Sequence, residues 1–266
     1  MNKKAIGVFD SGIGGLTVYK SLKEKMPNEK VIYLGDTARL PYGTKSAEAI
    51  IKFSEDNALF LLDRNVKIIV IACNSASSYA VVPLQDKLDI PVLGVIEPGA
   101  EAAVKWSKSC IGVIGTSATI SSRAYEYSIR EKKPDAKIIA RDCPLFVPLV
   151  EEGWITHEVT RLVASEYLLP LKEQGIDSLV LGCTHYPVLK EVISQVLGDS
   201  IQLIDSAEVT AEKVNAILQS LGWLNDSRVV GLQPDEFFVT DFPERFKKVG
   251  EIFLDRKIEK VQTAIL

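Results

Sequence analysis

Short runs of β-branched residues alternate along this chain with longer stretches of helical periodicity, and that alternation leaves few folds open. Residues 5–9, 31–34, 67–72 and 91–95 read as strands, separated by helical patterns at 16–25, 46–64 and 77–87. The same rhythm resumes with strands at 110–115, 137–140, 178–182 and 201–204. Strands joined by helical crossovers of roughly a dozen residues or more run parallel, because the crossover returns the chain to the end from which it started. Most of these runs lack polar alternation, as expected where helices cover both faces of a sheet. An α/β fold built on parallel sheets follows.

The order of elements is also repeated. Ala5-Ile6-Gly7-Val8-Phe9-Asp10-Ser11 matches Cys110-Ile111-Gly112-Val113-Ile114-Gly115-Thr116 at an offset of 105 positions. Ile69-Val70-Ile71-Ala72-Cys73-Asn74-Ser75 matches Leu179-Val180-Leu181-Gly182-Cys183-Thr184-His185 at an offset of 110. The expectation is two similar doubly wound parallel-sheet domains related by pseudo-two-fold duplication. Glu97-Pro98-Gly99 reads as the break between halves and residues 205–207 as a second. The first domain then comprises residues 1–97 plus 208–266, and the second residues 98–207. Beyond Glu208 come a helix pattern, a loop at 224–228, and mixed β-like and charged segments that should return to the first half.

With 266 residues and 47% apolar content the chain has ample material for a buried core. Its net charge of −4, with Lys and Arg scattered, offers no footprint for nucleic acid. The longest apolar run, the six residues from Ile68 to Cys73, is far short of the ~20 needed to span a bilayer. The apolar stretch after Asn2-Lys3-Lys4 ends at Asp10, too short for a signal-peptide core. No membrane partner and a cytoplasmic location are expected, where Cys73, Cys110, Cys143 and Cys183, which include no C-x-x-C pair, remain free thiols. Two histidines cannot form a three-His metal site, and no metal is expected.

In parallel sheets, ligands bind beyond the carboxyl ends of the strands. Four polar clusters fall there: Asp10-Ser11, Cys73-Asn74-Ser75, the stretch from Thr116 to Thr119, and Cys183-Thr184-His185. If the halves face each other, the two thiols approach from opposite sides. Inverting an α-carbon needs a base on one face and an acid on the other, and a thiolate with a thiol supplies both. A cysteine at a strand end is also an ordinary small core residue. The matched pair, each followed by polar side chains, favours chemistry, whereas Cys110 and Cys143 have no such neighbours. His185 is placed to tune the second thiol. His157 reads as a solvated residue of a surface helix, and Glu151-Glu152 as an exposed helix end. The loop from Asp10 to Gly15 could receive an ammonium or orient a base. It could equally cradle a phosphate, with Asp36 where a dinucleotide site places its ribose-reading acid, although Thr17 stands where the third glycine belongs.

Taken together, these segments resemble the glutamate racemases of the aspartate/glutamate racemase superfamily. Val8-Phe9-Asp10-Ser11-Gly12-Ile13-Gly14-Gly15-Leu16 is similar to that family's opening signature and Leu40-Pro41-Tyr42-Gly43 to its substrate loop. Ala72-Cys73-Asn74-Ser75-Ala76-Ser77 resembles its first cysteine motif, with Ser75 where Thr is frequent. Leu181-Gly182-Cys183-Thr184-His185-Tyr186-Pro187 resembles the second. The resemblance implies two α/β domains of similar fold with the active site between them, interconversion of L- and D-glutamate without pyridoxal phosphate or any other cofactor, supply of D-glutamate for peptidoglycan, and a homodimer. Carried over by position, Cys73 and Cys183 become the acid/base pair, assisted by Asp10 and His185, with Glu151 near the site. Ser11, Tyr42, Gly43, Asn74, Ser75, Thr116, Thr119 and Thr184 become substrate contacts.

Overall fold

The computed structural model of the chain describes residues 4–225 and 234–266. The first half runs β1 (Ala5–Asp10), α1 (Leu16–Lys25), β2 (Val31–Gly35), α2 (Ala47–Leu62), β3 (Val66–Ile71), α3 (Asn74–Lys87), β4 (Val92–Gly94) and α4 (Ile96–Trp106). The second runs β5 (Cys110–Gly115), α5 (Ser117–Ser122), α6 (Ala124–Lys132), β6 (Lys137–Asp142), α7 (Phe146–Glu151), α8 (Glu158–Glu173), β7 (Ser178–Gly182), α9 (Lys190–Leu197) and β8 (Gln202–Asp205). The chain closes with α10 (Ser206–Ser220), β9 (Glu236–Val239), α11 (Pro243–Leu254) and β10 (Gln262–Thr263).

All strand pairs among these elements are parallel, in two sheets ordered β10-β9-β2-β1-β3-β4 and β6-β5-β7-β8. The order β2-β1-β3-β4 is therefore repeated as β6-β5-β7-β8, the duplicated α/β architecture that the sequence repeat implies. Every residue of β1, β2, β3, β5 and β7 is buried, which is why these runs read as continuous apolar stretches. The edge strand β6 is only half buried and carries Lys137, Arg141 and Asp142.

Two local readings change. Glu97-Pro98-Gly99 falls where the chain passes from the first sheet to the second, but as the first turn of α4 rather than as an interruption of the helix pattern. Pro98 is tolerated there since an N–H in the first helical turn has no intrahelical acceptor to lose. Helix α3 starts at Asn74, directly after Cys73, rather than at residue 77. Of the expected loop at 224–228, residues 226–228 lie outside the described residues. Beyond it, β9 pairs with β2 and β10 with β9, adding two strands to the first sheet.

The base of that sheet holds a buried ion pair. Lys67 Nζ lies 2.6 Å from Glu29 Oε2 and donates to the Trp223 carbonyl, while Glu29 accepts the Asn225 amide N–H. The chain leaving α10 is thereby clamped to the first sheet, and α10 itself packs on both α1 and α4. One apolar cluster runs from Val8, Leu16 and Tyr33 to Phe146, Leu181 and Tyr186, so the halves share a core. Among the described residues, no helix is long and apolar enough to cross a membrane.

Candidate active site

The carboxyl ends of β1 and β3 build one side of the site. At the end of β1, Asp10 is fully buried and its Oδ2 accepts the Gly12 N–H at 2.9 Å. Burial pushes its carboxyl up from the usual range, against the His185 charge and the amides of Gly12 and Gly15. The next strand, β3, delivers Cys73 as the residue preceding the first turn of α3, in extended conformation. Its thiol donates to Ser11 Oγ at 3.6 Å. Burial first and the Asp10 carboxylate second push this thiol up to about 12, so at neutral pH Cys73 holds its proton.

The end of β7 builds the other side. His185 Nδ1 lies 3.8 Å from Cys183 Sγ, and its Nε2 lies 3.1 Å from Glu151 Oε1 at the end of α7. Arg245 of α11 continues the chain of contacts, 3.5 Å from Glu151 Oε2, and Phe253 of the same helix meets the imidazole edge-on. Burial opposes a charge on His185, but the contacts with Cys183 and Glu151 outweigh it and push the imidazole up to about 10. Burial likewise opposes ionisation of Glu151, yet the His185 hydrogen bond and charge, with Arg245, hold it below the usual carboxylate range. Of the acidic pair, Glu151 is thus the inward residue, while the Glu152 side chain is 70% exposed.

A raised His185 has a definite linkage sign. An ordinary histidine titrates near 6.5 and this one near 10, so the stability it contributes is complete below 6.5, declines through the interval and is gone above about 10. The gap in thermal unfolding temperature between the native protein and His185→Gln should be constant below pH 6.5 and narrow steadily toward pH 10. A gap independent of pH across that range would contradict a charged His185.

Contacts between the halves close the site. A Cβ on Gly14 would stand 2.3 Å from Thr184 Oγ1 and 2.5 Å from His185 Nδ1, so the glycine loop lies directly on the second cysteine motif. Thr17 Oγ1 donates to the Thr184 carbonyl, and Thr184 Oγ1 donates to Asp10 Oδ1 at 3.5 Å. Beside them, Ser75 Oγ lies 2.9 Å from Thr116 Oγ1 and 3.4 Å from Thr119 Oγ1, a cluster of hydroxyls drawn from both halves. Tyr125 OH donates to Asn74 Oδ1, and the buried Asn74 Nδ2 has no hydrogen-bond partner among the described residues. Gly43 rests on Thr116, where a Cβ would come within 2.8 Å.

The structure therefore brings Asp10, Ser11, Cys73, Asn74, Ser75, Thr116, Thr119, Glu151, Cys183, Thr184 and His185 to one region, with Gly43 at its edge. Tyr42 differs. Its hydroxyl is turned to Asp36 and Asn57, and it is the next residue, Gly43, that lies against Thr116. Asp36 is fully buried and holds Tyr42, Arg39 and Thr240, so it is not free to read a ribose, and the glycine loop is filled by Thr184 and His185. Both observations count against a nucleotide site. His157 precedes α8 as an exposed capping residue stacked on Trp154. Sequence reasoning missed Arg245, Phe253, Tyr125 and Thr17; Arg245 lies 94 positions from Glu151, and no local pattern links them.

Two duplicated parallel sheets whose strand ends meet over a thiol from each half mark out a class of α/β racemases. Residues 6–214 match the model of the Asp/Glu/Hydantoin racemase family, and the chain belongs to that family. It is an isomerase, an amino-acid racemase. Its relatives narrow the class. It is 50% identical over 259 residues to a glutamate racemase of Geobacter metallireducens, covering 97% of this chain and 95% of that protein. Among solved structures it is similar to a glutamate racemase isoform of Bacillus anthracis, with a TM-score of 0.95 at 39% identity, covering 100% of this chain and 99% of that one. It is also similar to the glutamate racemase of Francisella tularensis in complex with D-glutamate, with a TM-score of 0.93 at 41% identity, covering 100% of this chain and 98% of that one.

Proposed function

We propose that the chain interconverts L- and D-glutamate by proton transfer between Cys73 and Cys183, without pyridoxal phosphate or a metal. The carrying observation is the matched pair of buried thiols at the ends of β3 and β7, each beside its own ionisable partner. Cys73 with its proton is the acid. Cys183 is the base, and the His185 cation 3.8 Å from its sulfur is placed to stabilise negative charge there. Cys183 Sγ takes the α-proton, the pair of electrons left on carbon delocalises into the α-carboxylate, and Cys73 Sγ delivers its proton to the opposite face. The enzyme is left with a thiol at Cys183 and a thiolate at Cys73, which is the form that handles the other enantiomer. Asp10 and Ser11 serve the Cys73 side, and Glu151 orients His185 on the Cys183 side.

The hydroxyls of Ser75, Thr116, Thr119 and Thr184, the Asn74 amide and the Gly43 backbone suit two carboxylates, while Asp10 is placed for the ammonium. Relatives at 46–50% identity named as glutamate racemases support glutamate as the substrate. The same reading carries D-glutamate supply for peptidoglycan, a homodimer and a cytoplasmic setting that keeps both thiols reduced.

Incubation of dialysed, chelator-treated protein with each enantiomer in heavy water tests this reading. Optical rotation should decay to zero from both sides, with deuterium at the α-carbon of the newly formed enantiomer. Exchange on aspartate alone would move the substrate. No exchange from either enantiomer, with folded and reduced protein, would overturn the assignment.

A further inference from the structure

The loop between β2 and α2 carries a buried polar network that the two thiols do not use. Asp36, one residue past the end of β2, accepts three donors: the Tyr42 hydroxyl and Arg39 Nε (2.6 Å) on Oδ2, and Thr240 Oγ1 (3.0 Å) on Oδ1. Asn57 Nδ2 of α2 donates to the Tyr42 hydroxyl at 3.1 Å, and the Tyr42 ring packs on Phe53 with centroids 5.5 Å apart. Both Asp36 and Tyr42 are fully buried. Arg39 is held in turn by Asp56, whose Oδ2 lies 2.8 Å from its Nη1. Tyr42 opens a short 3-10 turn through Thr44, and its carbonyl accepts the Lys45 N–H at 3.0 Å. The next residue, Gly43, lies against Thr116, whose hydroxyl is shared with Ser75 and Thr119. The segment is thus a strap, anchored at one end in the first half and resting at the other on the hydroxyl cluster between the halves.

We infer that Asp36 is a positioning residue for substrate binding: through the Tyr42 hydroxyl it fixes the strap at residues 40–44 so that the Gly43 backbone is held over the Ser75-Thr116-Thr119 hydroxyls. The inference rests on the reading of that cluster as the carboxylate end of the glutamate site. A buried carboxylate that accepts three hydrogen bonds, one of them fully buried, is rigid, and charge-assisted bonds of this kind are roughly twice as strong as neutral ones. Groups that grip a non-reacting end of a substrate hold ground state and transition state alike, so loosening them raises KM and leaves kcat nearly unchanged. That division separates Asp36 from the residues beside the thiols.

Tyr42→Phe keeps the ring on Phe53 and removes only the link to Asp36. Asp36→Asn keeps one acceptor oxygen and should be milder than Asp36→Ala. For Tyr42→Phe, KM for both enantiomers should rise roughly tenfold with kcat within about threefold of the native value. In hydrogen–deuterium exchange without substrate, the peptide covering residues 40–45 should exchange faster, with peptides of β1 and β7 unchanged. A native KM in Tyr42→Phe and Asp36→Asn, or a fall in kcat at constant KM, would overturn the inference. So would exchange that rises throughout the protein, which marks a merely structural network. Should the native protein fail to turn over glutamate, the substrate reading falls. The exchange of residues 40–45 then still decides whether Asp36 anchors the strap.

Discussion

Serine in place of Cys73 or of Cys183 is expected to lower racemisation of both enantiomers by at least about a thousandfold, the upper part of the range for a positioned acid or base. Each turnover needs one group to remove a proton and another to supply one, and a serine hydroxyl neither ionises near neutrality nor matches the donor strength of a thiol. The fold should survive, because sulfur and oxygen differ little in size and both sites border polar partners: Ser11 Oγ beside Cys73 and His185 Nδ1 beside Cys183. Cys110→Ser is the control. Cys110 begins β5, at the amino end of the sheet and away from the strand ends that form the site, so this variant should keep near-native activity. Polarimetry from L- and from D-glutamate, with circular dichroism to verify folding, decides the matter. Appreciable two-way activity in both thiol variants would sink the two-thiol mechanism.

The second large effect is expected from one added methyl group. Gly14→Ala places a Cβ 2.3 Å from Thr184 Oγ1, 2.5 Å from His185 Nδ1 and 2.6 Å from His185 Cε1. Real Cβ atoms do not approach that closely, so either the glycine loop or the second cysteine motif must move by roughly an ångström. Displacement of His185 breaks its alignment with Cys183 and Glu151, and misplacement on this scale costs on the order of a hundredfold in rate. A drop in kcat of that size is expected, with the unfolding temperature lowered but a cooperative transition retained. Near-native kcat would show that the contact between loop and motif can yield without cost to the chemistry.

What could be read from the sequence divides along a physical line. Strands such as β3 and β7 were legible because burial on both faces writes itself as a continuous apolar run, and their register with the polar residues that follow placed Cys73 and Cys183 at strand ends. The repeat of strand order was legible for the same reason. Contacts between distant segments were not. Thr240 meets Asp36 across 204 positions and Tyr125 meets Asn74 across 51, and neither leaves a periodic trace. Asp36 shows how this misleads: by spacing it passes for a ribose-reading acid, and only the three donors gathered around its carboxylate reveal an internal anchor. Glu151 and Glu152 are chemically equivalent in the sequence. It is the turn at the end of α7 that aims one at His185 and leaves the other in solvent. Pro98 illustrates the reverse error, since a residue that breaks helices in their interior is compatible with their first turn.

The halves repeat one topology, yet they furnish their thiols unequally, with a carboxyl and a hydroxyl beside Cys73 and an imidazolium–carboxylate pair beside Cys183. Mirror-image substrates have equal free energies in water, so the equilibrium constant of a racemase is unity and kcat/KM is the same in both directions, however lopsided the site. The inequality of the two sides can then be expressed only as compensation. Whichever enantiomer the asymmetric chamber grips more tightly, it must turn over more slowly, and by the same factor.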